Sequence, residues 1–297
     1  MEREPYRVEY HVVANVYLQP GHELSGPDFA RLWSTTSVFG KQRSVAGAFW
    51  HAGSNSGGQR RIELGSLEHV QPLLERGPQP IFGGGTCSKA KLARSGTTLD
   101  CDFYYAHGGA SRSYGVDTLP DLLFTVSGQW FENTGPETVL EMMRLHFEIA
   151  DKYAPPYGLI DVSPAHDCYA GMVYGPTFFG NAPLHRHVED INWVFSGAKK
   201  RDRVRGIYWG NYFGPAILGR LGGRDHFLTG FRQQATLHGD MSARIWEFTN
   251  GVFVSLSLDP LDLKPNPPDK APPPLKAPML AWLVCELGSR GALCAWG

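Results

Sequence analysis

The sequence predicts an α+β fold, in which mixed or antiparallel sheets are flanked by helices. Three observations indicate it: strand-like patterns at residues 6–18 and 98–106, an amphipathic helix pattern ending near Tyr153, and aromatic residues interleaved with glycines at residues 204–223. These patterns, with periods of two and about 3.6 residues, fall in separate stretches of the chain. We call residues 204–223 the central segment, because a strand, a tight turn and a short helix stopped by glycines suit the middle of a fold.

The composition indicates a globular protein and excludes some functions. Apolar residues make up 42% of the 297 residues, enough for a hydrophobic core, and charged residues make up 19%, below the roughly 25% of typical soluble domains. The 28 basic and 29 acidic residues nearly cancel, so the overall charge gives no support for nucleic-acid binding. The five cysteines are scattered without a CxxC pair, which favours reduced, structural thiols.

The sequence shows no pattern of a targeting or membrane-spanning segment. Its first residues lead directly into a strand pattern, without the apolar core of a signal peptide. The longest late apolar run, at residues 279–285, is far shorter than the ~20 residues that a membrane-spanning helix needs. We therefore expect a cytoplasmic protein with no membrane partner.

In the first part of the chain, residues 6–18 and 44–50 predict strands. Ser25-Gly26-Pro27-Asp28 predicts a helix start, with Ser25 capping the free amides and Pro27 in the first turn. The remaining predictions here are a turn, a short helix and a Gly/Pro-rich loop, at residues 53–58, 66–75 and 77–91.

In the second part, the strongest helix pattern opens at Thr134-Gly135-Pro136-Glu137, which resembles a capping box. Its apolar stripe is Leu140, Met143, Phe147 and Ala150, and its polar stripe is Glu141, Arg144, Glu148 and Asp151. Asn250-Gly251 predicts a hairpin between residues 243–249 and 252–258. Further strands are predicted at 121–131, 158–162 and 168–174, and further helices at 184–195 and 224–232.

The two helix starts resemble each other, since each follows a long strand. This predicts one α+β unit over residues 1–259, with possible related halves at 1–95 and 96–259; the alternative is that both starts simply obey common capping rules. Residues 260–278 hold 8 of the chain's 22 prolines and predict a stiff arm, which could also be a docking ligand. The apolar tail, residues 279–297, is predicted to pack on the body.

A possible metal site lies at His185, His187 and Asp190, because imidazole and carboxylate are ligands of zinc and other divalent ions. Two histidines spaced i and i+2 point to different faces of a helix, so only a strand or loop would bring them together. The simpler interpretation is that these residues have no metal-binding role, since histidines are common in this chain, which contains 11 of them. These residues support one alternative function, a metal-dependent hydrolytic enzyme; no other feature indicates a cofactor.

Two groups of residues are candidates for contact with a protein partner. Asp100 and Asp102 share one face of a predicted strand, where they could meet a basic partner or simply face solvent. Within the central segment, Arg205, Tyr208, Trp209 and Tyr212 are the types of residue that anchor interfaces when they are exposed.

A purely structural role also explains the central segment. Alternation places Ile207, Trp209, Asn211 and Phe213 on one face of its strand, and Gly206, Tyr208, Gly210 and Tyr212 on the other. Asn211 is predicted to cap the turn into the following helix.

Two short motifs in the central segment resemble the type VI secretion immunity family, whose members accompany toxic nuclease effectors. Gly206-Ile207-Tyr208-Trp209 is similar to the family's strand, and Leu221-Gly222-Gly223 to the end of its short helix. The resemblance extends over about residues 111–231. It implies an immunity protein that binds a cognate toxin stoichiometrically and neutralises it by occlusion, with no catalytic residue and no cofactor.

Overall fold

The computed structural model describes the strands, the helices and the connections next to them. The described residues are 10–19, 24–25, 27–28, 31–32, 45–53, 59–63, 81–88, 101–106, 110–111, 116–117, 121–164, 202–204, 206–237, 243–258, 260 and 278–293. Predictions for residues 66–75, 168–174, 184–195 and most of 260–278 lie outside them.

Among the described residues, ten strands form one continuous sheet, in the order β11-β12-β10-β9-β1-β8-β5-β4-β2-β3, and every neighbouring pair is antiparallel. A separate two-stranded ladder joins β6 and β7. The strands are β1 Tyr10–Tyr17, β2 Val45–Gly53, β3 Gln59–Glu63, β4 Ile81–Ser88, β5 Cys101–Ala106, β6 Ala110–Ser111, β7 Val116–Asp117, β8 Asp121–Ser127, β9 Tyr157–Pro164, β10 Gly210–Phe213, β11 Ile245–Glu247 and β12 Val252–Ser255.

Helices cover both faces of the strands around β1, which confirms the predicted α+β class with an antiparallel sheet. One face carries α1 (Gly128–Thr134) and α2 (Pro136–Asp151), and the other carries α3 (Pro215–Arg220), α4 (Arg224–Leu237) and α5 (Pro278–Ser289). Within the described residues, no helix combines the length and the apolar composition needed to cross a membrane.

Strand β1 belongs to the first predicted half, but it lies between β8 and β9, which both belong to the second. Its side chains alternate as a central strand requires: Val12 and Val16 pack under α1 and α2, whereas Val13 and Tyr17 pack under the α3–α5 layer. The suggested halves therefore share one sheet, and their relatedness remains a prediction.

Helix α2 buries the apolar stripe that the sequence predicted, but its predicted cap is wrong. Thr134 belongs to the last turn of α1, and Gly135 is the N-cap of α2, with φ +95° and no side-chain hydrogen bond. The strand predicted at 121–131 ends earlier because Ser127 starts α1: its Oγ accepts a hydrogen bond from the Trp130 N–H at 3.3 Å. The cap predicted at Ser25 is confirmed, since its Oγ accepts from the Asp28 N–H at 3.2 Å.

The loop predicted at residues 77–91 is wrong, because β4 occupies most of it. Its three glycines lie in register between aromatic-rich strands: Gly83 and Gly84 pair with Tyr104 and Phe103 of β5, and Gly84 also pairs with Trp50 of β2. Glycine in a strand lets a neighbouring backbone approach closely or lets aromatic side chains of neighbouring strands cover it. The glycine content of this segment was therefore a misleading indication of a loop.

The hairpin at Asn250-Gly251 is confirmed by the antiparallel pairing of β11 with β12. The C-terminal helix α5 lies on the same side of the sheet as α3 and α4, where Met279, Leu280, Leu283 and Leu287 are fully buried. This layer encloses the central segment from one side.

Candidate interaction surface

The central segment forms the strand, turn and short helix that its sequence predicts. Strand β10 lies between β9 and β12, and α3 follows directly. Gly222 and Gly223 end the helix with φ of +87° and +98°, and the Gly223 N–H donates to the Leu218 carbonyl at 2.8 Å. A residue with a side chain would be strained at both glycines, which explains the Leu-Gly-Gly pattern.

The prediction that Asn211 caps α3 is wrong, because the N-cap is Gly214. Instead, Asn211 fixes the bend that leads into β10. Its Oδ1 accepts from the Tyr208 N–H at 3.0 Å, and its Nδ2 donates to the Tyr208 carbonyl at 2.9 Å. This bend breaks the simple alternation: Trp209 and Tyr212 pack with α1 and α2, whereas Tyr208 packs with α3–α5.

Tyr208, Trp209 and Tyr212, three of the proposed partner contacts, have exposed fractions of 0%. The Trp209 Nε1–H donates to Ser257 Oγ at 2.9 Å, and the Tyr212 ring lies 5.8 Å from that of Phe147 on α2. A partner could reach these side chains only if the core opened. We therefore treat them as core residues that hold the surface in place.

A buried carboxylate, Asp151 at the end of α2, joins three elements. Its Oδ1 accepts from the Tyr212 hydroxyl at 2.6 Å, and its carboxylate accepts from the Asn250 N–H at 3.0 and 3.2 Å. The Asn250 side chain donates in turn to the Asp151 carbonyl at 2.7 Å. Burial, and then the neighbouring Asp151 carboxylate, raise the pKa of Tyr212, so its hydroxyl stays protonated and keeps donating.

Two glycines allow these elements to approach closely. A Cβ at Gly251 would overlap the Tyr212 ring, and a Cβ at Gly214 would overlap the Pro155 carbonyl oxygen. A rigid, tightly packed unit therefore supports the exposed side chains of α3, α4 and the β11–β12 hairpin.

One corner of this layer gathers basic side chains, and we call Arg203, Arg220, His226 and Arg290 the basic corner. Arg220 forms an ion pair with Asp202, which directly precedes Arg203 in the chain. That hydrogen bond lowers the pKa of Asp202, so its carboxylate stays charged. The Nη2 atom of Arg290 lies 3.0 Å from the Nε2 atom of His226.

Three further ion pairs tie the hairpin to the helices. Arg232 and Arg224 of α4 both pair with Glu247 of β11. Arg244, at the start of the hairpin, pairs with Glu137 of α2, and this hydrogen bond lowers the pKa of Glu137. Pairs as exposed as these contribute little to stability, so their effect is to orient side chains.

Of the other residues predicted for a site, the structure describes only Asp102. Asp102 lies in β5, in register with Gly85 on one side and Thr125 on the other. Asp100, Arg205, His185, His187 and Asp190 lie outside the described residues. In the part of the chain that the structure describes, no three His, Cys, Asp or Glu residues are placed to hold a metal ion.

Sequence reasoning missed the two polar arrangements that the fold creates. Asp151 was assigned to the polar stripe of α2, yet its exposed fraction is only 4%. The basic corner combines residues from distant parts of the chain, and only the density of basic residues at 199–205 could have indicated it.

A helix-covered antiparallel sheet with a buried central segment defines the structural class, and comparisons with known proteins extend it. No family model matches the sequence, and no curated protein matches it. Among solved structures, the Pseudomonas aeruginosa T6SS protein PA0821 has a similar fold, with a TM-score of 0.55 and 14% sequence identity over 86% of this chain and 67% of that chain. At this identity, the likeness shows a shared fold.

Proposed function

We propose that this chain is an immunity protein of a type VI secretion system, which binds a cognate toxin in the cytoplasm and neutralises it by occlusion. The observation that carries the proposal is the fold shared with a T6SS protein over 86% of the chain. The immunity-like motifs at residues 206–209 and 221–223 give separate support, and in the structure they directly precede β10 and follow α3.

Occlusion requires a rigid surface, and the central segment supports one. Association costs less free energy when the binding surface is already ordered in the free protein. The Asp151 contacts join α2, β10 and the hairpin, while Phe227 and Phe231 hold α4 against Trp282 of α5. An interface of ordinary size would bury roughly 1,600 Å² in total on such a surface.

The test is co-expression with the protein encoded by the reading frame next to this gene. We expect that protein alone to stop bacterial growth, and this chain to restore growth. The purified pair should form a complex of fixed stoichiometry, measured by size-exclusion chromatography with light scattering.

Two glycine variants provide a matched control. Gly214→Ala should lose protection, because the new Cβ overlaps the Pro155 carbonyl, whereas Gly219→Ala adds a Cβ in open space and should protect fully. Failure of the native chain to restore growth would contradict the proposal. If far less than one molecule of this chain per toxin molecule restored growth, occlusion would be contradicted and an enzymatic function would be favoured.

A further inference from the structure

The densest group of basic residues in the sequence leads into the basic corner. Lys199, Lys200, Arg201, Arg203 and Arg205 fall within seven positions that contain one carboxylate, Asp202. The whole chain has a formal net charge of −1, so this run is a local excess of positive charge on a balanced protein. A local excess of this kind steers association with a partner of opposite charge.

The fold fixes the end of this run against two helices. The Val204 N–H donates to the Ala292 carbonyl at 2.7 Å, and Val204 pairs with Leu293 in a parallel bridge just after α5. On the other side, Asp202 is held by Arg220, the last residue of α3. Arg203 therefore has a fixed backbone position and an exposed side chain.

Two carboxylates at the corner are each already paired with an arginine. Asp202 is paired with Arg220. Glu286 is paired with Arg290, and the Glu286 Oε1 lies 2.5 Å from the Arg290 Nε.

Within the described residues, no carboxylate forms an ion pair with Arg203. Asp225 lies beside His226 in the first turn of α4, and, besides the hydrogen bond from Arg220, the charge of Arg203 also contributes to lowering the pKa of Asp202. The exposed guanidinium of Arg203 still forms no ion pair with a described carboxylate, so it can bind a carboxylate of a partner.

From this arrangement we infer that the basic corner is the contact surface for an acidic face of the toxin, an inference that rests on the proposed function. Guanidinium groups bind carboxylates through paired, charge-assisted hydrogen bonds, which suits a protein partner. A nucleic acid fits less well, because Asp202 and Glu286 would repel its phosphates and the chain as a whole carries no basic excess.

The experiment measures association rates of the purified toxin with Arg203→Glu and with a matched control, Arg31→Glu. Both arginines are exposed and both substitutions change the net charge equally. Arg31 pairs with Glu148 of α2, on the opposite side of the sheet. We expect Arg203→Glu to slow association by about tenfold or more at low salt, Arg31→Glu by less than about twofold, and added salt to narrow the difference.

The remaining outcomes separate this inference from the proposed function. Equal rates for the two variants, with the native complex still forming, would overturn the basic corner as the contact surface and leave the immunity function in place. Absence of any native complex would overturn both. Binding of a short DNA duplex that depends on Arg203 would overturn the acidic protein partner in favour of nucleic acid. Arg203→Lys should restore most of the rate.

Discussion

The central segment and the basic corner share Arg220, but they contribute differently. The central segment contains Tyr208, Trp209 and Tyr212, whose side chains are completely buried. The basic corner contains Arg203 and Arg220, whose side chains reach solvent. The most conspicuous pattern in this sequence therefore encodes the fold, whereas the partner-binding surface that we propose consists of charged residues that no motif identifies.

The largest expected effect comes from crowding the central segment. Gly214→Ala places a Cβ against the Pro155 carbonyl oxygen, and backbone cannot move aside as a flexible side chain could. We expect a loss of about 3 kcal/mol or more in the free energy of unfolding, measured by urea denaturation.

The matched control is Gly219→Ala within α3, where no atom lies within 4 Å of the new Cβ. There we expect a gain of up to about 1 kcal/mol, because alanine favours helix more than glycine does. Equal effects at the two glycines would show that the backbone around Gly214 can move to make room for a side chain.

The next effect concerns the other face of the sheet, where His146 of α2 is buried. Burial lowers its pKa from 6.5 to about 4, an effect that the hydrogen bond to the Met142 carbonyl only partly opposes. The folded protein therefore binds this proton less readily than the unfolded chain does, and stability is lost as the pH falls from 6.5 towards 4. Each pKa unit corresponds to about 1.4 kcal/mol, so the loss should reach about 3 kcal/mol.

The measurement is the free energy of unfolding as a function of pH, for the native chain, His146→Gln and His226→Gln. The loss between pH 6.5 and 4 should become smaller in His146→Gln. It should be retained in His226→Gln, because that substitution leaves the buried imidazole of His146 in place. A native chain with the same stability at both pH values would contradict the burial of a neutral His146.

A smaller effect tests the buried carboxylate. Tyr212→Phe removes the hydroxyl that donates to Asp151 at 2.6 Å and leaves a buried acceptor with one donor fewer. We expect a loss of about 2 kcal/mol in the free energy of unfolding. Tyr153→Phe is the matched control, because its hydroxyl contacts Asp28 and Ser25 nearer the surface, and it should cost under about 1 kcal/mol. If Tyr153→Phe cost more stability than Tyr212→Phe, the hydroxyl that contributes more to stability would lie outside the central segment.

The smallest expected effect on stability is at the basic corner. Arg203→Glu should change the free energy of unfolding by less than about 0.5 kcal/mol, because its side chain is exposed. Thermal and urea unfolding should therefore match those of the native chain. A large loss of stability would mean that the corner, like the central segment, serves the fold.

Local patterns predicted those parts of the fold that depend on neighbouring residues. The stripe of α2, the glycine stop after α3 and the Asn250-Gly251 hairpin follow from helix period and turn chemistry, and all three are confirmed. Strand β4 was missed because its glycines are stabilised by strands distant in sequence, an effect that no local pattern contains. The role of Asn211 was missed for a related reason, since its partner depends on a bend within the central segment.

The candidate site was less predictable than the fold. Burial decided against Tyr208, Trp209 and Tyr212, and burial depends on which helices cover the sheet. The basic corner required the packing of residues 202–204 beside the end of α5, more than 80 positions further along the chain. Electrostatic surfaces assembled in this way are visible only once the topology is known.

Amide hydrogen exchange of this chain, alone and in complex with the toxin, locates the toxin contact most directly. If the toxin binds the basic corner, residues 202–204, the turn from α3 into α4 and the end of α5 become newly protected, and β10 is equally protected in both states. New protection confined to the exposed side of α2 would contradict binding at the basic corner, because the toxin would then bind the opposite face of the sheet.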